Sequence, residues 1–193
     1  ATSMLAVSAL TLAGCEQEHR SQLEAAEGYL ESEGRVEGLR KRFGKDKTFA
    51  VPILTNAALA GLADWRDVSP LPFELACVPQ SLFRLVRMPV VSYAIPALVA
   101  IGQARYFHRS PRNPFTWLVR RLAIRRSRRL LRRMQPESGG YLEATPLTSF
   151  VVMSLASIGQ VTSEVTVAGV QFLDKSMRDD GSWPIDTNLA TWI

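Results

Sequence analysis

The sequence predicts an all-α fold, an α/α toroid (barrel) of helix-pair repeats, and three observations carry that expectation. A self-similarity recurs at an offset of 42 residues. Segments that are apolar on nearly every side alternate with segments that are only half apolar. Each half-apolar segment then runs into a polar turn that ends Gly-x-aromatic. A helix apolar all round must be buried all round, so such helices suit an inner wall and the amphipathic ones an outer layer.

The elements follow in order. Residues 2–12 read as an apolar helix stopped by Gly14. Leu12-Ala13-Gly14-Cys15 matches a lipoprotein cleavage box, but no Lys or Arg precedes Arg20, and such a signal needs a basic leader. Leu71-Pro-Phe-Glu-Leu-Ala-Cys-Val-Pro79 is a proline-bounded loop or short helix. The apolar run 89–102 is too short and too broken by proline for a membrane span, and reads as an inner helix. Residues 148–159 form a second apolar helix, which residues 2–14 closely resemble.

The repeat itself places residues 127–141 over 169–183. Leu130 and Leu131 fall on Phe172 and Leu173, Gln135 on Met177, Gly139 on Gly181, and Tyr141 on Trp183. Glycine permits the tight turn, and the aromatic is expected to stack on the neighbouring outer helix and staple adjacent repeats. Residue 1 is Ala, and 187–193 read as a helix barely begun, so the chain is expected to be a fragment.

Composition narrows the function. The 193 residues, 47% hydrophobic and 21% charged, suit a folded domain rather than disorder. Two cysteines, Cys15 and Cys77, fit a reducing compartment and exclude a disulfide scaffold. His19 and His108 lack ligand-like neighbours, so no metal site is expected. Between Glu74 and Glu137 no acidic residue occurs, whereas thirteen arginines do, and the remainder of the chain is net acidic. That asymmetry predicts a positive face for phosphates of lipid or nucleic acid.

Most of those arginines lie in 117–134. On a helical wheel Trp117, Val119, Ala123, Ile124, Ser127, Leu130, Leu131 and Met134 share one half. Arg121, Arg125, Arg126, Arg128, Arg129, Arg132 and Arg133 share the other, with Leu118 and Leu122 among them and Arg120 as the exception. A basic amphipathic helix can lie on anionic headgroups or on a nucleic-acid backbone. No nucleic-acid-binding module accompanies it, so the membrane surface is the expected partner and nucleic acid is not.

Taken together, these residues resemble the squalene–hopene cyclase (class II triterpene cyclase) family over almost the whole chain. Gly169-Val-Gln-Phe172-Leu173-Asp-Lys-Ser-Met177-Arg-Asp-Asp-Gly181-Ser-Trp183 is similar to its repeat signature, with Met177 where the family has glutamine. The 127–141 copy carries Ser127 for the glycine and Tyr141 for the tryptophan. Leu71-Pro-Phe-Glu74 with Pro79 resembles a Pro-Pro-Glu…Leu-Pro segment, and Ser92-Tyr93-Ala94 resembles a Ser-Trp-Ala segment lining the substrate channel. Ile185-Asp186-Thr187-Asn188-Leu189-Ala190 resembles Trp-Asp-Thr-Gly-Leu-Ala, whose Asp lies near the catalytic acid. Ile185 and Tyr93 stand where the family has tryptophan, the stretch between Gly102 and Arg126 is shorter than usual, and the acid motif Asp-x-Asp-Asp-Thr-Ala is absent from these 193 residues.

The resemblance implies that residues 1–159 belong to a second, inserted α/α barrel and 160–193 begin the catalytic one. It implies an isomerase that cyclises a polyprene such as squalene by a proton-initiated carbocation cascade, with no metal or organic cofactor. Asp186 would be a supporting carboxylate, or equally a helix cap. Ser92, Tyr93, Leu98 and Ile185 would face the substrate, and the protein would sit peripherally on the cytoplasmic face of a bacterial membrane, with homodimerisation open. The rival from another class is a non-catalytic α/α repeat protein that binds a partner or lipid. A protein prenyltransferase subunit shares the barrel, but the Asp, Cys and His of its zinc site have no counterpart here.

Overall fold

The computed structural model describes residues 1–44, 47–78 and 95–187, and within them the chain is all-α, with no β-strand. It divides into two compact units, Ala1–Ser69 and Pro70–Ile193. The apolar run 89–102 lies partly outside the described residues; its second half begins a helix.

The first unit holds α1 (Thr2–Leu12), α2 (Arg20–Ser32), α3 (Arg35–Phe43) and α4 (Lys47–Leu59). α1 packs on α4, burying Met4, Val7 and Ser8 on one side and Val51, Leu54 and Ala57 on the other. Ser8 is tolerated there because its hydroxyl donates to the Met4 carbonyl at 2.7 Å. α2 and α3 carry the charge: Arg40 of α3 binds Glu37 one turn back and Asp67 at 2.9 Å. As expected, α1 ends at Gly14. The Gly14 N–H reaches the Thr11 carbonyl and the Cys15 N–H the Leu10 carbonyl, a glycine-dependent closure that satisfies the last carbonyls. The same pair of bonds closes α4 at Gly61.

The second unit begins with a 3₁₀ turn, Phe73–Cys77, followed by α5 (Ile95–His108), α6 (Pro114–Met134), α7 (Thr145–Ala156) and α8 (Glu164–Ser176). α5 and α7 are the apolar helices, and they pack along each other. Six consecutive α5 residues, Val99 to Ala104, are buried. Gly102 lets the helix approach the 3₁₀ turn, since a Cβ there would meet the Phe73 Cβ at 3.0 Å and the Leu71 carbonyl at 3.1 Å. Phe73, Tyr106, Ile124, Leu131, Tyr141, Leu155 and Val165 make one core across these elements. Residues 148–158 are buried or half-buried throughout. α6 starts on Asn113, whose side chain accepts from the Phe115 and Thr116 N–H groups, with Pro114 in the first turn. α8 starts on Ser163, which accepts from Thr166 N–H.

The repeat is visible in the two turns. α6 and α8 both exit through an extended residue, Gln135 and Met177. Gly139 N–H donates to Pro136 at 3.0 Å, and Gly181 N–H to Arg178 at 2.9 Å. Both glycines have positive φ, +89° and +76°. The Tyr141 hydroxyl donates to the Leu131 carbonyl at 2.9 Å, and the Trp183 indole N–H to the Leu173 carbonyl at 2.7 Å. Every partner is displaced by 42 residues.

These bonds correct the expected role of the aromatic. Tyr141 and Trp183 latch each turn back onto its own preceding helix, because a ring donor ten residues on comes within reach of a carbonyl of its last turn. The next helix is held instead by Gln135, which donates to the Gly139 carbonyl at 2.9 Å and to the Val165 carbonyl of α8 at 3.0 Å. The glycines complete the seam: a Cβ on Gly139 would lie 2.2 Å from the Ala168 carbonyl oxygen, and one on Gly140 would lie 2.4 Å from the Phe172 ring.

The Tyr141 latch is testable. Tyr141→Phe should cost about 1 kcal/mol in chemical denaturation, the low end for a buried hydrogen bond, because Leu131 keeps its bond from Gln135 N–H. Burial raises the Tyr141 pKa well above the ordinary phenol value. A raised folded pKa gives stability that is complete below the unfolded value of about 10 and declines as pH rises above it. That alkaline decline should shrink in Tyr141→Phe.

Candidate functional site: the second turn and the basic helix

After the Trp183 latch the chain runs antiparallel to the segment leading into α7. Ala144 and Asp186 pair as an isolated bridge, the Thr145 N–H donates to the Ile185 carbonyl at 3.2 Å, and the Thr187 N–H donates to the Glu143 carbonyl at 3.0 Å. The Thr145 hydroxyl donates to the Pro184 carbonyl. An open groove of ≈ 300 Å³ lies against this corner, lined by Thr145, Pro146, Ser149, Leu173, Trp183 and Ile185. Its wall is mainly apolar, and Trp183 and Ile185 are exposed.

The expected site residues are only partly brought together. Ile185 lines the groove, and Asp186, half-buried, follows it directly with its backbone fixed by the bridge. Leu98 is half-buried in the first turn of α5 and does not line this groove. Ser92 and Tyr93 lie outside the described residues. Among the described residues no three His, Cys, Asp or Glu side chains are grouped to hold a metal.

The second candidate surface is α6. Ala123, Ile124, Ser127 and Leu131 are buried as the wheel expects, but Trp117 and Val119 are exposed, a correction to the apolar half. The first turns of α6 precede the core, so the inward stripe begins only near Arg120. Phe115 (73% exposed), Leu118, Val119 and Leu122 (70%) therefore form an apolar stripe in solvent. Farther along the same face come Arg125, Arg126, Arg129 and Arg133, all exposed. No helix of the described residues is long and apolar enough to cross a membrane.

Two buried polar groupings were not foreseen. Arg120, the exception on the wheel, is buried; its Nε donates to Glu74 Oε1 at 3.1 Å, and its guanidinium lies over the Phe73 ring. An arginine on an apolar stripe was a signal for such a partner, but nothing local named a carboxylate 46 residues back. The other grouping is Gln103 with Ser127, both fully buried: Gln103 Nε2 donates to Ser127 Oγ at 3.0 Å, and Gln103 Oε1 accepts from Arg128 Nε at 3.2 Å. The cysteines are free, and burial raises the Cys77 thiol pKa and lowers that of the His108 ring.

Comparisons with family models, with curated proteins and with solved structures return no match for this chain.

Proposed function

We propose that this chain is part of a squalene–hopene-type triterpene cyclase, an isomerase acting on a polyprene dissolved in a membrane. The observation that carries the reading is the recurrence, at 42 residues, of the glycine N–H bond and the aromatic latch of the Gly-x-aromatic turn, since that turn is the signature on which the resemblance rests. On this reading α5 and α7 belong to the inner wall of an α/α toroid and α6 and α8 to its outer layer. Residues 1–159 belong to the inserted barrel and 160–193 begin the catalytic one.

The chemistry starts with transfer of a proton from a carboxylic acid to a terminal alkene carbon. The resulting cation is consumed by successive ring closures, and a final proton loss or water addition ends the cascade. Alkenes are weak bases, so the acid must be held protonated and made unusually strong by its neighbours. Asp186 is assigned a positioning role beside an acid supplied from outside these 193 residues. Its place after an apolar groove, at a backbone-fixed position, supports that role. Peripheral attachment to the membrane is supported by the exposed stripe of Phe115, Leu118 and Leu122 leading into arginines, since such a helix can bury its apolar end among acyl chains.

The alternative, a repeat protein without catalysis, draws support from Ile185, which is 73% exposed where the family has a cavity aromatic. Incubating the full-length protein with squalene in detergent micelles separates the two. Cyclic products of unchanged mass, or of mass increased by one water, are expected. Recovery of the substrate alone, and likewise of related linear polyprenes, would overturn the cyclase.

A further inference from the structure

A groove of ≈ 290 Å³ lies beside α6 at the α7–α8 corner, away from the Asp186 groove. Its floor is Leu131, Leu155 and Val165, and Arg128, Arg129 and Arg132 stand on its rim. Glu164, also on the rim, pairs with Arg132 at 2.7 Å. Arg128 and Arg129 have no carboxylate partner among the described residues. Arg128 is unlike its neighbours, being half-buried and held on two sides. Its Nε is fixed by the fully buried Gln103, itself fixed by Ser127, and its guanidinium lies 5.9 Å from the Phe107 ring centroid. Burying an amide and a hydroxyl costs free energy unless they are bonded to each other and to something useful. Here the two together orient one guanidinium, whose pKa burial lowers, as expected for a cation short of a counter-charge.

We propose that this groove is a discrete site for an anionic phospholipid, with Arg128 and Arg129 on the phosphate and the glycerol and first methylenes against Leu131, Leu155 and Val165. Arginine suits this task because its planar fork presents two parallel donors to phosphate oxygens. The apolar floor selects an amphiphile over a free anion, and the exposed Arg125, Arg126 and Arg133 of the same helix favour a negative surface around it. The site deepens the membrane reading given above and does not depend on cyclase chemistry.

The test is binding of the full-length protein to phosphatidylcholine vesicles with and without phosphatidylglycerol. A purely diffuse field makes every surface arginine equivalent, at about fivefold in affinity per charge. A site makes them unequal: Arg128→Gln and Arg129→Gln should each weaken binding about fiftyfold, against about fivefold for Arg125→Gln and Arg126→Gln, because a charge-assisted hydrogen bond is lost as well. Arg128→Lys keeps the charge at a rim position that does not endanger folding, and should still lose about tenfold. Gln103→Met, with no change of charge, should lose a similar factor while its circular dichroism stays that of the wild type.

Equal losses for the four glutamine variants, or an unaffected Arg128→Lys, would overturn the site while leaving the membrane reading intact. Absence of any vesicle binding by the wild type would overturn both. Displacement from vesicles by glycerol phosphate at concentrations matching the lipid would show a site for free phosphate and overturn the lipid assignment.

Discussion

Arg120→Met is expected to destabilise the second unit by about 3–5 kcal/mol, the range for breaking a buried ion pair by removing one partner. Arg120 is 7% exposed, and its guanidinium bridges Glu74 and the Phe73 ring. Without it, Glu74 is left as a poorly hydrated carboxylate whose Oε2 already has no hydrogen-bond partner. The loss should therefore come from the abandoned charge more than from missing contacts, and a second substitution reveals which. Adding Glu74→Leu to Arg120→Met removes the stranded carboxylate and should recover most of the stability in urea titrations, because an apolar replacement of a whole pair is close to neutral. A double variant no more stable than Arg120→Met alone would mean that the guanidinium acts through packing on Phe73.

Asp186→Asn in the full-length protein should lower turnover of a polyprene about a hundredfold or more, with the melting temperature little changed. The substitution removes charge while keeping shape. The bridge to Ala144 and the bonds from the Thr145 and Thr187 N–H groups use main-chain atoms, so they should survive the substitution. A residue that only caps a helix predicts surviving turnover with only a slight loss of stability, because asparagine caps nearly as well as aspartate. Near-normal turnover in Asp186→Asn would remove Asp186 from the mechanism. Since it is argued to act through another acid, the pH dependence of turnover should shift in Asp186→Glu, where the charge remains but its position changes.

What could be read beforehand was periodic or local. The turn repeat was legible because its residues recur at one spacing, and the glycines, Tyr141 and Trp183 each stand where a helix exit needs them. The stop of α1 at Gly14 was legible for the same reason. The burial of Arg120 was not, because a wheel records direction and not depth, and Glu74 is distant in sequence. Trp117 misled for a related reason: it points to the same side as Ile124, but the core does not extend beneath the first turn of α6, while Val119 stands at the edge of the apolar half, beside Leu122. The role of Gln135 as the bridge to the next helix was not legible, since its acceptor, the Val165 carbonyl, lies thirty residues on and no local pattern links the two. Of the expected site, Ile185 and Asp186 were placed side by side by their adjacency in the chain. Leu98 depended on how α5 packs, and its relation to them was not written in any local pattern.

The latch that closes each turn spans ten residues, whereas the Gln135 bond to the following helix spans thirty. Contacts so near in sequence lose little chain entropy on closing, and loops of that length close in about 10–100 ns. Each helix and its turn can therefore be assembled before any neighbour is present, as an emerging chain would require. The slow step is then expected to be the docking of one helix-and-turn on the next through the glycine seam, where a backbone must fit within van der Waals distance of the next helix. Substitutions at Tyr141 should act chiefly on the rate of folding, and those at Gly139 and Gly140 on the rate at which neighbouring units come apart.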